Sequence, residues 1–138
     1  LIKFDSKMKR TMINALKSKV KRPYSGEAGV QKAVIDYIKY TYPGALYCAS
    51  AGGVRTSMKQ AIKMKATGYV KGVPDLQIFE PVGNYHGLLI EIKDLKGVVS
   101  KEQKEWIKKL NDRGYFATYS KGYEATIKVI DDYLKGQI

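Results

Sequence analysis

Residues 72–93, GVPDLQIFEPVGNYHGLLIEIK, hold two short apolar runs separated by a turn-rich segment, and their alternation decides how the rest of the chain is arranged. In the second run, Gly87 to Lys93, the side chains of Leu88, Ile90 and Ile92 share one face of an extended strand, because residues two apart point the same way. Glu91 and Lys93 therefore share the other face. Gly87-Leu88-Leu89-Ile90 is apolar on both faces, the pattern of a central strand covered from either side. In the first run, Asp75 to Phe79, Leu76 and Ile78 take the apolar face and leave Asp75 opposite. Glu80 to His86, with its Pro, Gly and Asn, joins the two as a hairpin loop. Pairing the runs brings two carboxylates and an ammonium together at one end of a sheet.

Those groups have a chemistry in common. Hard divalent cations such as Mg²⁺ prefer oxygen, taking one or two carboxylates and keeping their other positions for water and phosphate. Asp75 and Glu91 suit that role, and the carbonyl of Ile92 adds a further oxygen from the same strand. A cation held there lowers the pKa of a bound water, polarises a phosphate and neutralises charge developing at phosphorus. Lys93 stands beside it to hold the water or the phosphate oxygens. Taken alone, an Asp and a Glu-x-Lys are more often a turn residue and a solvated strand face. Their place at the end of a buried strand favours a site, since buried charges need partners.

On these residues the chain resembles the PD-(D/E)xK nucleases, and among them the VRR-NUC (virus-type replication-repair nuclease) domain, from about Glu27 to the C-terminus. The likeness also rests on Gly26-Glu27 on an early helix, Ser50-Ala51-Gly52-Gly53-Val54-Arg55, Lys71-Gly72-Val73-Pro74-Asp75-Leu76, and Ser100-Lys101-Glu102-Gln103. No catalytic position departs from the family's pattern. The resemblance implies an active endonuclease using Mg²⁺ or Mn²⁺, with Glu27, Asp75, Glu91, Lys93 and Gln103 as its catalytic set. Glu27 would contribute a third carboxylate, directly or through water, and Gln103 would orient Lys93 or a phosphate. Similarity to stand-alone, virus-borne members implies a homodimer acting on branched DNA such as Holliday junctions, in the cytoplasm of a bacterial host. A flap or fork nuclease of the same fold and a non-catalytic DNA-binding module are the alternatives.

Two of these residues also have local readings. Glu27 is an acid in the first turn of a helix for which Ser25 is a suitable N-cap, which favours the positive end of the helix dipole. Ser100 and Gln103 have the spacing of a capping box. One amide is not expected to reach back to Ser100 and forward to the site at once.

Composition agrees with a polyanionic partner. The 138 residues carry 25 Lys and Arg against 13 Asp and Glu, a net charge of +12. Residues 1–26 hold eight of the basic side chains and Asp5 as their one acid. The expected division is a basic amphipathic helical arm over 1–24 and a nuclease domain over 25–138. No stretch approaches the roughly 20 apolar residues that cross a bilayer, and no signal peptide is read. Leu1 in place of methionine leads to the expectation that the sequence starts inside a longer or processed product. A single cysteine, Cys48, and a single histidine, His86, exclude an internal disulfide and a zinc site of the usual Cys and His type. Cys48 reads as inert core, which fits a reducing cytoplasm.

The remaining elements follow from periodicity and punctuation. Asp5 or Ser6 caps a helix with Met8, Met12, Ile13, Leu16 and Val20 at helical spacing, broken at Pro23. Ser25 to about Tyr40 forms a second helix burying Val30, Val34, Ile35 and Ile38, and Ala45 to Ala49 a first strand. Gly52-Gly53 makes a turn where backbone can approach a phosphate, with Arg55 in reach. A helix from Ser57 to Thr67, closed by Gly68, displays Lys59, Lys63 and Lys65 as a basic stripe able to steer DNA, and Lys101 joins them as a candidate contact. Ser100 to Asn111 is a helix with Trp106, Ile107 and Leu110 on one face. Tyr115 to Tyr119 is the last strand, its two tyrosines being candidates to stack on a splayed base, and Tyr123 to Leu134 the last helix. The order α-α-β-α-β-β-α-β-α predicts an α/β fold: a four-stranded mixed sheet between helices, with strands two and three antiparallel and the last strand reached by a helical crossover.

Overall fold

A computed structural model describes residues 5–19, 25–51 and 56–138, with the side chains of 15–19 outside that description. The readings of Leu16, Val20, Pro23, Gly52-Gly53 and Arg55 therefore lie outside the described residues. The elements are α1 (Ser6–Lys19), α2 (Gly26–Thr41), β1 (Tyr47–Ala49), α3 (Met58–Ala66), β2 (Leu76–Ile78), β3 (Leu88–Lys93), α4 (Lys101–Asn111), β4 (Phe116–Lys121) and α5 (Tyr123–Leu134). Their order is the expected one.

The strands lie in sequence order across one mixed sheet. β2 pairs antiparallel with β1 and β3, and β4 pairs parallel with β3 after the crossover through α4. β3 thus has a partner on each side, and all six of its residues are buried. Leu88, Ile90 and Ile92 join Leu76 and Ile78 on the face covered by Val34, Tyr37 and Ile38 of α2 and by Ile127, Ile130 and Tyr133 of α5. α4 covers the other face, where Asn111 satisfies both backbone groups of Ala117 on β4 at 2.9 Å. Among the described residues no helix is long and apolar enough to cross a membrane.

Several local expectations need correction. Cys48 is exposed rather than core: β1 is a three-residue edge strand, and Cys48 pairs with Gln77 on the face turned away from the α2–α5 layer. Ser25 sits at the N-cap of α2 in an extended conformation, but its side chain makes no capping hydrogen bond. β4 continues two residues past Tyr119, because the parallel register carries its pairing to Lys93 opposite Lys121. Val30 and Ile35 are only partly buried, flanking the core rather than forming it.

Asp131 of α5 ties three helices together. It accepts hydrogen bonds from the hydroxyls of Tyr37, at 2.9 Å, and Tyr42, at 2.5 Å, and lies 3.8 Å from the Lys9 ammonium of α1. Both tyrosines are buried, and burial, reinforced by the Asp131 carboxylate, pushes both hydroxyls well above the ordinary phenol range. Replacing Asp131 with Ala orphans two buried donors, so urea unfolding should show a loss of about 2–4 kcal/mol. A loss near zero would mean that the hydroxyls find other partners.

Candidate active site

The end of β3 sets the position of every charged group around it. Glu91 and Lys93 follow Leu89 on the face away from α2 and α5, and both are buried, at 1% and 7% exposure. β2 pairs Leu76 with Ile90, so one further step in that register puts Asp75 across from Glu91. Asp75 is held there because its Oδ2 accepts the Ile92 N–H at 3.0 Å. The approach to Asp75 is equally constrained. Gly72 has φ +100° and packs so tightly on α4 that a Cβ would stand 2.9 Å from the backbone of Glu102 and from the Trp106 ring, and Pro74 is fully buried.

Lys93 Nζ lies 3.1 Å from Glu91 Oε1 and 3.5 Å from Glu27 Oε1. Glu27 is in the first turn of α2, as its local reading requires, and reaches the site through Lys93. Gln103 departs from expectation: its Oε1 accepts the Ser100 N–H at 2.8 Å while its Nε2 donates to Glu91 Oε1 at 2.5 Å. The capping box and the contact with the site hold together, because the two ends of a primary amide are used in opposite directions. α4 is thereby registered against β3 by its own N-terminus.

Electrostatics follow from this packing. Burial, then the adjacent charge of Asp75, push the Glu91 carboxyl up to about 7, against the opposing pull of Lys93. Burial draws the Lys93 ammonium down, but the hydrogen bond and charge of Glu91, then Glu27 and Asp75, outweigh it and hold its pKa above the ordinary value. Among the described residues Glu91 Oε2 is buried without a hydrogen-bond partner, and so is Ser50 Oγ. The Ser50 N–H donates to the Asp75 carbonyl at 2.8 Å, extending the β1–β2 pairing to the level of the site. A buried carboxylate oxygen left without a donor, beside a second carboxylate, fits a hard cation. Among the described residues no three His, Cys, Asp or Glu side chains gather as a metal cluster.

The expected nucleic-acid contacts are spread out. Lys59, Lys63 and Lys65 are exposed on α3, which buries none of its residues. Lys101 is exposed at the start of α4, 3.9 Å from Glu105. The sequence reading gave no role to Ser50 or Gly97. Ser50 lies in a quoted motif, but its placement opposite Asp75 depends on strand register. A Cβ on Gly97 would stand 2.9 Å from Glu27 Oε1 and 3.0 Å from Lys93 Cβ, a proximity with no signature in the sequence.

The VRR-NUC domain model matches residues 30–123. A solved structure of a VRR-NUC domain protein is 34% identical and superposes with a TM-score of 0.67, covering 81% of this chain and 90% of that one. No curated protein matches the chain.

The raised Glu91 pKa predicts a pH dependence for the metal-free protein. Between the ordinary carboxyl value of 4.5 and about 7, the folded state keeps a proton that the unfolded state has lost. This group's contribution to stability is therefore fully present below pH 4.5, declines as pH rises to about 7 and is flat above. Relative to wild type, Glu91→Gln should gain stability from pH 4.5 to 8 in chelator, by an amount on the order of 1–3 kcal/mol. Denaturation curves with a pH-independent difference would show that Glu91 titrates normally.

Proposed function

The chain belongs to the VRR-NUC family and so carries a nuclease-type domain, and we propose that it is a structure-specific DNA endonuclease, dependent on Mg²⁺ or Mn²⁺ and cutting branched DNA such as Holliday junctions as a homodimer. The observation that carries this reading is Glu91 Oε2, without a hydrogen-bond partner among the described residues, buried beside Asp75 and within two residues of Lys93. Asp75, Glu91 and the Ile92 carbonyl are the metal-holding groups. When bound, the cation supplies Lewis acidity and charge to a water and to the scissile phosphate.

The chain's own residues perform the rest. Gln103 and Lys93 occupy Glu91 Oε1, which leaves Oε2 as the free donor. The Ile92 N–H fixes Asp75 in the same way. Lys93, kept protonated by the carboxylates around it, donates hydrogen bonds to the attacking water or to a non-bridging phosphate oxygen. Glu27, 3.5 Å from the ammonium, helps to position it and supports the metal site directly or through water. Lys59, Lys63, Lys65, Lys101 and Arg55 would contact phosphates without reading sequence. A two-fold dimer presents two such sites to two strands, the geometry of symmetric junction resolution. The family's stand-alone, virus-borne members suggest residence in the bacterial cytoplasm, with 1–24 as a basic N-terminal helical arm.

Asp75→Ala, Glu91→Ala and Lys93→Ala should each reduce cleavage by at least about a hundredfold while DNA binding persists. Labelled four-way junction, flap, fork and linear duplex, each with Mg²⁺, Mn²⁺ or EDTA, provide the assay. Cutting that survives all three substitutions, or that proceeds in EDTA, defeats the assignment. Equal cutting of linear and branched DNA by a monomer defeats the junction and dimer parts alone.

A further inference from the structure

The connection between β3 and α4, residues 94–100, exposes apolar surface beside the charged site. Leu95 is 78% and Val98 80% exposed, whereas Lys93 before them and Val99 after them are buried. A single exposed aliphatic is ordinary. Two on one short turn, a few residues from a buried lysine, form an apolar tip that stays exposed among the described residues.

The tip has a defined seat. Asp94 Oδ1 accepts the Lys96 N–H at 3.0 Å, and its carbonyl accepts the Gly97 N–H at 3.1 Å. Gly97 lies against Glu27 and Lys93, and Leu95 Cδ2 lies 2.9 Å from where a Cβ on Gly122 would stand. The placement of Leu95 and of the turn that carries Val98 is thus built into the fold. Tyr119, the β4 partner of Glu91, is itself 49% exposed. Lys96 within the turn, Lys101 and Lys121 are exposed around it.

An apolar tip with cations around it, continuous with a site for phosphate, matches a polyanion that also shows apolar faces. DNA whose bases have left the stack has both, whereas a regular duplex hides its base faces. Apolar side chains inserted between base steps are a recurrent means of engaging distorted DNA, and exposed aromatics add a stacking surface for bases. We infer that Leu95 and Val98 form a wedge that contacts unstacked bases next to the scissile phosphate, flanked by Tyr119. This inference rests on the nuclease reading of the site and adds what selects distorted DNA over regular duplex.

The test uses the full chain with a four-way junction carrying 2-aminopurine beside the branch, and the same sequence as linear duplex. Binding and fluorescence are read in EDTA and cleavage in Mg²⁺. Wild type should prefer the junction and change the 2-aminopurine emission on binding. Leu95→Ser with Val98→Ser should lower the junction-to-linear affinity ratio roughly tenfold, the factor for partial burial of two aliphatic side chains, and remove the emission change. Leu95→Met with Val98→Ile should restore both. A serine variant with the wild-type ratio and emission overturns the wedge, as does one that converts a dimer into a monomer by light scattering, which would assign the tip to a protein interface. Emission response without cleavage of any DNA by wild type supports the wedge and removes the nuclease reading; junction cleavage without emission response does the reverse.

Discussion

Glu91 lies on the central strand with one carboxylate oxygen held by the Gln103 amide and the Lys93 ammonium and the other, among the described residues, without a hydrogen-bond partner. A carboxylate withdrawn from water is costly to ionise unless donors replace the lost solvation. The surrounding chain is arranged around that cost. α4 contributes Gln103 through its capping box, α2 contributes Glu27 to balance Lys93, and β2 brings Asp75 into the same row. Asp75 makes ionisation harder, not easier, since burial and its charge together raise Glu91 against the pull of Lys93. Without a cation the pair of carboxylates is thus a source of strain inside an otherwise well-packed sheet.

Much of this was readable from the sequence because strand alternation is a local rule. The partition of Leu88, Ile90 and Ile92 from Glu91 and Lys93 needs only period two, and the buried β3 agrees with it. Element order was readable for a similar reason: Pro23, Gly68 and Gly114 punctuate apolar periodicity, and the capping-box spacing at Ser100 marks the start of α4. Edges were harder. Cys48 looked like core from its apolar neighbours, but whether a strand residue is covered depends on which layer lies above it, and β1 is an edge strand.

The site itself was legible by residue type and illegible by geometry. Asp75, Glu91 and Lys93 were marked by their place at strand ends. That Gln103 serves helix and site together was not visible, because spacing says which backbone group an amide can reach and nothing about the opposite end of that amide. Ser50 shows the same limit: its level relative to Asp75 is a matter of register between strands separated by a whole helix.

The charge state of Lys93 constrains what the site can do. Burial alone lowers a lysine pKa and can make the amine a base. Here three carboxylates reverse that effect, so the ammonium stays protonated and offers hydrogen bonds and positive charge rather than a lone pair. In the metal-free protein Lys93 is therefore a hydrogen-bond donor rather than a base. Glu91, whose carboxyl burial and Asp75 push up to about 7, would ionise more readily with a cation bound beside it. On the proposed nuclease reading, what Lys93 contributes is thus charge placement and orientation.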